Sequence, residues 1–140
     1  MQPRMLLTIT ALLEVGTGLM LLLSPRVPLE ILIGFRGPAS DILVVARVAG
    51  AALLAIGVAA WSARSDNRTP SQTGVLAGIF VYNLAVAAVL AYAALTLRVS
   101  GIALWPVVAL HAALGGWCCV CLRTASGAMT DSRGRPARPT

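Results

Sequence analysis

Four long runs of apolar residues divide the chain, and polar segments separate them. Each run holds about 20 residues, which at about 1.5 Å per residue lets a helix cross the roughly 30 Å hydrocarbon core of a bilayer. Because backbone polar groups inside lipid must be satisfied within the segment, we predict that all four runs are helices. The predicted spans cover residues 5–23, 42–63, 74–97 and 102–122.

The connections between the spans predict how the helices are arranged. The third connection, residues 98–101, is so short that the helices on either side of it must be antiparallel neighbours. The first connection, residues 24–41, is longer and has two interpretations. It forms either a short amphipathic segment in the outer interface, with Glu30 and Arg36 in water, or an ordinary loop that packs its apolar side chains on the helices.

The predicted fold class is therefore all-α, a four-transmembrane-helix antiparallel bundle formed by residues 1–123. Composition agrees, because 58% of the residues are hydrophobic and only 11% are charged, whereas soluble domains carry about 25% charged residues. The lipid bilayer is thus the first predicted partner. Residues 124–140 are rich in Gly, Pro, Ser and Arg, and we predict a disordered tail because such a segment cannot bury enough apolar surface to fold alone.

The positive charge of the chain predicts its orientation in the membrane. The net charge is +6 and every basic residue is Arg, which is typical of a bacterial genome of high GC content. Arg residues concentrate in the segments that lie inside when the N-terminus is inside, so both termini are predicted in the cytosol. We predict a multi-pass protein of the bacterial cytoplasmic (inner) membrane and no nucleic-acid partner, since these Arg residues flank apolar spans.

Each apolar span carries one strongly polar residue, and these are Glu14, Arg47, Asn83 and His111. An ionisable group at membrane depth is costly, so it normally faces the interior of the helices and finds a partner there. Because the four residues lie at roughly similar depth, we predict one buried polar cluster. Tyr82, next to Asn83 in the third span, joins these four as a candidate ligand-binding residue.

Glu14 and Arg47 have several interpretations. Glu14 lies near the bilayer midplane, with Thr10 and Thr17 on the same helix face. It is either a proton carrier or acid/base group, or a packing partner in a salt bridge with Arg47. Arg47 is predicted within about one turn of Glu14 in depth, where it pairs with Glu14, reaches outward to the interface, or binds a substrate anion.

Asn83 and His111 also have structural and functional interpretations. Asn83 either joins helices by hydrogen bonds, worth about 1 kcal/mol in membranes, or contacts a ligand. His111 relays protons, ligates a metal or haem, or is simply a buried neutral imidazole. Glu14 and His111 are the catalytic candidates if the protein is an enzyme.

Three cysteines lie together at the end of the fourth span: Cys118, Cys119 and Cys121. Thiolates at positions i and i+3 can share a soft metal ion, but a convincing site needs a second pair of ligands. Free cysteine otherwise behaves as a small apolar residue. We therefore predict neither a metal site nor a cofactor.

The segment Leu12-Leu-Glu-Val-Gly-Thr-Gly-Leu-Met20 resembles the first helix of the small multidrug resistance transporters. That family has four helices in a chain of similar length, and a single membrane-embedded Glu exchanges protons for cationic drugs. This resemblance covers about nine residues and implies that Glu14 is the carboxylate that binds both proton and substrate.

A second resemblance covers much of the first 60 residues. A Gly-rich first helix ends in Ser24-Pro25, and a short outer segment leads to Arg47-x-x-Gly50 and Gly57. This layout is similar to that of the DoxX-like four-helix bacterial inner-membrane proteins, which are mostly accessory or uncharacterised. It implies a topology more than an activity.

Three functions fit these observations. The first is an accessory or lipophile-binding membrane protein whose polar cluster fixes helix packing. The second is a proton-coupled small-molecule exporter that uses Glu14, and the third is an intramembrane acid/base enzyme acting on a lipophilic substrate. Small residues such as Gly74 and Gly78 also permit a homo-oligomer or a membrane-protein partner.

Overall fold

The computed structural model describes residues 3–37, 40–66 and 69–133, with side chains described through residue 124. The all-α prediction is confirmed for these residues, which contain five helices and no strand. The helices are α1 (Pro3–Leu23), α2 (Arg26–Ile33), α3 (Ser40–Ala63), α4 (Pro70–Thr96) and α5 (Leu104–Arg133).

Four of these helices, α1, α3, α4 and α5, are long and apolar enough to cross a membrane. Their positions match the four predicted spans, which supports the prediction of a multi-pass membrane protein. Helix α5 continues beyond the predicted end of the fourth span to Arg133. It therefore enters the segment for which a disordered tail is predicted, and residues 134–140 of that tail lie outside the described residues.

The first connection contains α2, which is the helical alternative of the two sequence interpretations. Gly34 ends this helix in the left-handed conformation, with φ of 70°, and its N–H bonds to the carbonyl of Glu30 at 2.9 Å. A glycine suits this position because it carries no Cβ to clash. The N–H of Ala103 donates to the carbonyl of Ile31 at 3.0 Å, which fixes α2 to the start of α5.

Helices α1 and α3 pack closely because glycines lie where their backbones cross. A Cβ on Gly18 would be 2.7 Å from the carbonyl oxygen of Gly50, and a Cβ on Gly50 would be 2.8 Å from that of Gly18. Two turns along, Gly57 gives the same room to Val15. Small residues at these positions let two helices approach without a side-chain layer between them.

The hydrophobic core lies at the end of the molecule where α1 begins and α3 ends. Its buried members come from the start of α1, the end of α3, the start of α4 and the middle of α5, and they include Leu6, Leu7, Ala60, Leu76, Cys118 and Cys121. We call this region the terminal-end core. The opposite half, toward α2, is less completely filled, and the cavity described next lies there.

Candidate functional site

A cavity of about 360 Å³ lies between the α1–α3 pair and the α4–α5 pair, in the half of the molecule toward α2. All five helices contribute to its wall, which is mostly apolar. Glu14 of α1, Tyr82 of α4 and His111 of α5 are the ionisable residues in that wall. An apolar pocket with a few convergent polar groups is the usual form of a small-molecule site.

Glu14 is buried, and its carboxylate bonds to a neighbouring helix. The hydroxyl of Tyr82 donates a hydrogen bond to Oε2 of Glu14 at 3.1 Å. No side chain in the described part of the protein donates to Oε1 of Glu14. One carboxyl oxygen in the cavity wall is therefore free to contact a bound molecule.

His111 is held by Asn83, which is completely buried. Nδ1 of His111 lies 2.8 Å from Oδ1 of Asn83, and Nδ2 of Asn83 donates to the carbonyl of Ile79 at 2.8 Å. Asn83 thus links α4 to α5 as a hydrogen-bonding bridge, one of the roles expected for it.

Tyr82 joins the two hydrogen-bonded pairs into one group. Its ring meets the imidazole of His111 edge to face, with centroids 5.6 Å apart and an interplanar angle of 80°, while its hydroxyl bonds to Glu14. We define the polar cluster as Glu14, Tyr82, Asn83 and His111. Four of the five predicted ligand-binding residues are therefore brought together.

Arg47 is the predicted ligand-binding residue that lies outside the polar cluster. The salt bridge with Glu14, one of the interpretations of Arg47, is absent: Arg47 is exposed and its Nε donates to the carbonyl of Leu22 at 3.3 Å. This bond places Arg47 level with Leu22, which is eight residues beyond Glu14 and therefore about 12 Å along α1. The prediction that Arg47 and Glu14 lie within one turn was wrong because the α1–α3 register, set by Gly18 and Gly50, separates them by about two turns.

The cavity reaches the outer surface of the helices. Among its lining residues, Leu13, Met20, Ile31 and Leu110 are 37%, 49%, 42% and 41% exposed. These side chains belong to α1, α2 and α5, so the opening lies between those helices. In a membrane-spanning arrangement, an apolar opening of this kind faces hydrocarbon.

The wall residues from α2 were not foreseen as part of a site. Pro28, Ile31 and Leu32 close the cavity at the end away from the terminal-end core. The amphipathic pattern of this segment predicts an apolar face that packs against another part of the protein. The sequence alone does not show which helices form that packing surface.

The cysteines lie away from this cavity. Cys118 and Cys121 are fully buried in the terminal-end core, where they pack as apolar side chains. Among the side chains that the structure describes, in residues 3–37, 40–66 and 69–124, no group of three His, Cys, Asp or Glu residues is arranged to hold a metal ion.

Comparison of the chain with family models, curated proteins and solved structures finds no match.

Proposed function

We propose that this protein is a four-transmembrane-helix bundle of the bacterial cytoplasmic membrane, with both termini in the cytosol, that binds a lipophilic small molecule beside Glu14, Tyr82 and His111. The observation that carries this proposal is the apolar cavity of about 360 Å³ into which these three side chains converge. Its volume falls within the roughly 300–1,000 Å³ typical of small-molecule sites.

The hydrogen bonding of the cluster supports binding over a purely structural role. A cluster that only fixed helix packing would pair its charges and leave no polar atom facing open space. Glu14 instead has no cationic partner among the described side chains, and it lines the cavity. A carboxyl group buried at membrane depth is costly. Contact with a ligand explains why the protein has one at this position.

The location of the opening indicates the route of entry. The lining residues with large exposed fractions are all apolar, so a molecule dissolved in the bilayer can reach the cavity without passing through water. On the other side of Glu14, the terminal-end core is closely packed. The ligand therefore enters sideways from the lipid.

Two catalytic or transport functions use the same residues. The resemblance of residues 12–20 to the small multidrug resistance transporters supports a proton-coupled exporter with Glu14 as its carboxylate. The presence of Glu14 and His111 in one cavity supports an intramembrane acid/base enzyme. Export needs access to Glu14 from both sides in turn, and the packed terminal-end core closes one side, so binding is the function that the geometry supports best.

Reaction with dicyclohexylcarbodiimide tests the proposal, because this lipophilic reagent modifies carboxyl groups that it can reach from lipid. We expect protein in lipid nanodiscs to gain an adduct at Glu14 at mildly acidic pH, located by peptide mass spectrometry, and Glu14→Gln to gain none there. Leu110→Trp should block labelling because it fills the opening. Leu84→Trp is the matched control, since Leu84 is 59% exposed on α4 and away from the cavity.

The proposal fails if Glu14 stays unlabelled in the native protein while the other carboxyl groups react. It also fails if Leu110→Trp and Leu84→Trp label equally well, because the reagent would then reach Glu14 by another route.

A further inference from the structure

The orientation of the Asn83 amide is determined by its surroundings. Its Nδ2 lies 2.8 Å from the carbonyl oxygen of Ile79, and a carbonyl oxygen only accepts hydrogen bonds. The atom facing Ile79 must therefore be the nitrogen. Oδ1 of Asn83 then faces His111, and it too only accepts.

This orientation determines which nitrogen of His111 carries a proton. Nδ1 lies 2.8 Å from Oδ1 of Asn83, so Nδ1 must be the donor. A neutral imidazole carries one N–H, which leaves Nε2 as an acceptor with a free lone pair. A backbone carbonyl, acting through Asn83, thus selects the tautomer of a histidine on another helix.

Nε2 is the ring nitrogen that Asn83 does not hold. Because His111 lines the cavity and Asn83 does not, we take the ring edge opposite Nδ1 to be the one that meets a bound molecule. No described side chain donates to Nε2. The hydroxyl of Tyr82 is occupied by Glu14, so it is not the partner of Nε2.

We propose that Nε2 of His111 is the hydrogen-bond acceptor for the ligand, and that the ligand is a neutral lipophile carrying a hydroxyl group, an alcohol or a phenol. This inference rests on the proposed function and names its substrate class. An acceptor that faces an apolar cavity and has no hydrogen-bond partner is costly, and an O–H donor satisfies it. The entry route passes apolar side chains, which a neutral hydroxyl crosses at lower cost than a cation does. Asn83 is the positioning residue, because it acts through His111.

The tautomer can be measured directly because the chain contains one His. Protein labelled with ¹⁵N-histidine, purified without a polyhistidine tag, gives the nitrogen resonances of His111 alone. We expect Nδ1 to be protonated and Nε2 to be bare at neutral pH. Protonation at Nε2 instead would overturn the proposal.

Two matched probes test the ligand class: 4-hexylphenol and its methyl ether, 4-hexylanisole, which lacks the donor. We expect the phenol to bind about fivefold more tightly or better, the effect of one hydrogen bond, and to shift the Nε2 resonance. Equal binding of both probes overturns the ligand class and leaves lipophile binding intact. If neither probe binds, the result contradicts the ligand class. The proposed function is contradicted as well only if carbodiimide labelling of Glu14 also fails.

Two variants distinguish the role of Asn83 in positioning His111 from a general loss of stability. Asn83→Leu should lose both the fixed tautomer and the preference for the phenol. Gln72→Leu is the matched control, because Gln72 is also a buried amide on α4, bonds to the carbonyl of Ala63 at 2.9 Å, and does not line the cavity. It should keep the tautomer and the preference. Tighter binding of 4-hexylbenzylamine, lost in Glu14→Gln, would assign the site to cations and overturn the hydroxyl class.

Discussion

The hydroxyl of Tyr82 and the carboxylate of Glu14 form a hydrogen bond of 3.1 Å between α4 and α1. These helices belong to different pairs, since α1 packs mainly on α3 and α4 packs mainly on α5. The bond therefore joins the two halves of the protein at the cavity. It also positions one carboxyl oxygen, while no described side chain donates to the other.

Replacing Tyr82 by Phe should destabilise the protein by about 1 kcal/mol, because hydrogen bonds between membrane helices contribute on that order. The ring contact with His111 is kept, so the change isolates the hydroxyl. Thermal unfolding in detergent measures it. Tyr92→Phe, at a side chain 58% exposed on the same helix, should have no effect, and equal behaviour of the two variants would show that the bond contributes nothing.

Glu14→Gln and Arg47→Met should have additive effects on stability. The two residues lie about 12 Å apart along the helix axis, and Arg47 bonds to the carbonyl of Leu22. When two residues share no partners, the changes in the free energy of unfolding caused by their mutations add within about 0.5 kcal/mol. A double-mutant cycle in detergent provides the measurement, and a coupling energy well above that limit would mean that the two charges interact after all.

Gly50→Ala should destabilise the protein by about 1–3 kcal/mol, the range for overpacking a close contact. The new methyl group would lie 2.8 Å from the carbonyl oxygen of Gly18, so α1 and α3 would have to separate. Gly78→Ala is the control, because nothing lies within 4 Å of a Cβ added there. Unfolding temperatures in detergent compare the two, and a harmless Gly50→Ala would contradict the packing described for this helix pair.

The topology remains a prediction with a direct test. An excess of Arg in the segments assigned to the cytosol places both termini there. A reporter enzyme that is active only in the periplasm should give no signal when fused to the C-terminus, and a clear signal when fused at Gly37, in the first connection. The reverse pattern would invert the assigned orientation, while leaving the cavity unaffected.

The sequence predicted the helices well because membrane spans are specified by length and hydrophobicity, which are local properties. It also placed Glu14, Asn83 and His111 near mid-span, which is why their meeting could be anticipated. The partner of Arg47 could not be predicted, because it depends on the register between α1 and α3. That register follows from glycine contacts between separate helices. The cavity could not be predicted from the sequence either. An open space depends on how well side chains from several helices fill it, and no single residue encodes that.

The division into two tightly packed helix pairs has a mechanical consequence. Gly18 and Gly50 bring α1 and α3 into backbone contact, and α4 packs mainly on α5, so we expect each pair to move as one rigid unit. Near the cavity the Tyr82–Glu14 bond links the two pairs, whereas at the other end the terminal-end core and the bond from Gln72 to the carbonyl of Ala63 hold them together. We therefore expect the width of the cavity to change by a hinge motion about the terminal-end core, which lets the site accommodate ligands of different girth while each pair preserves the positions of its polar groups.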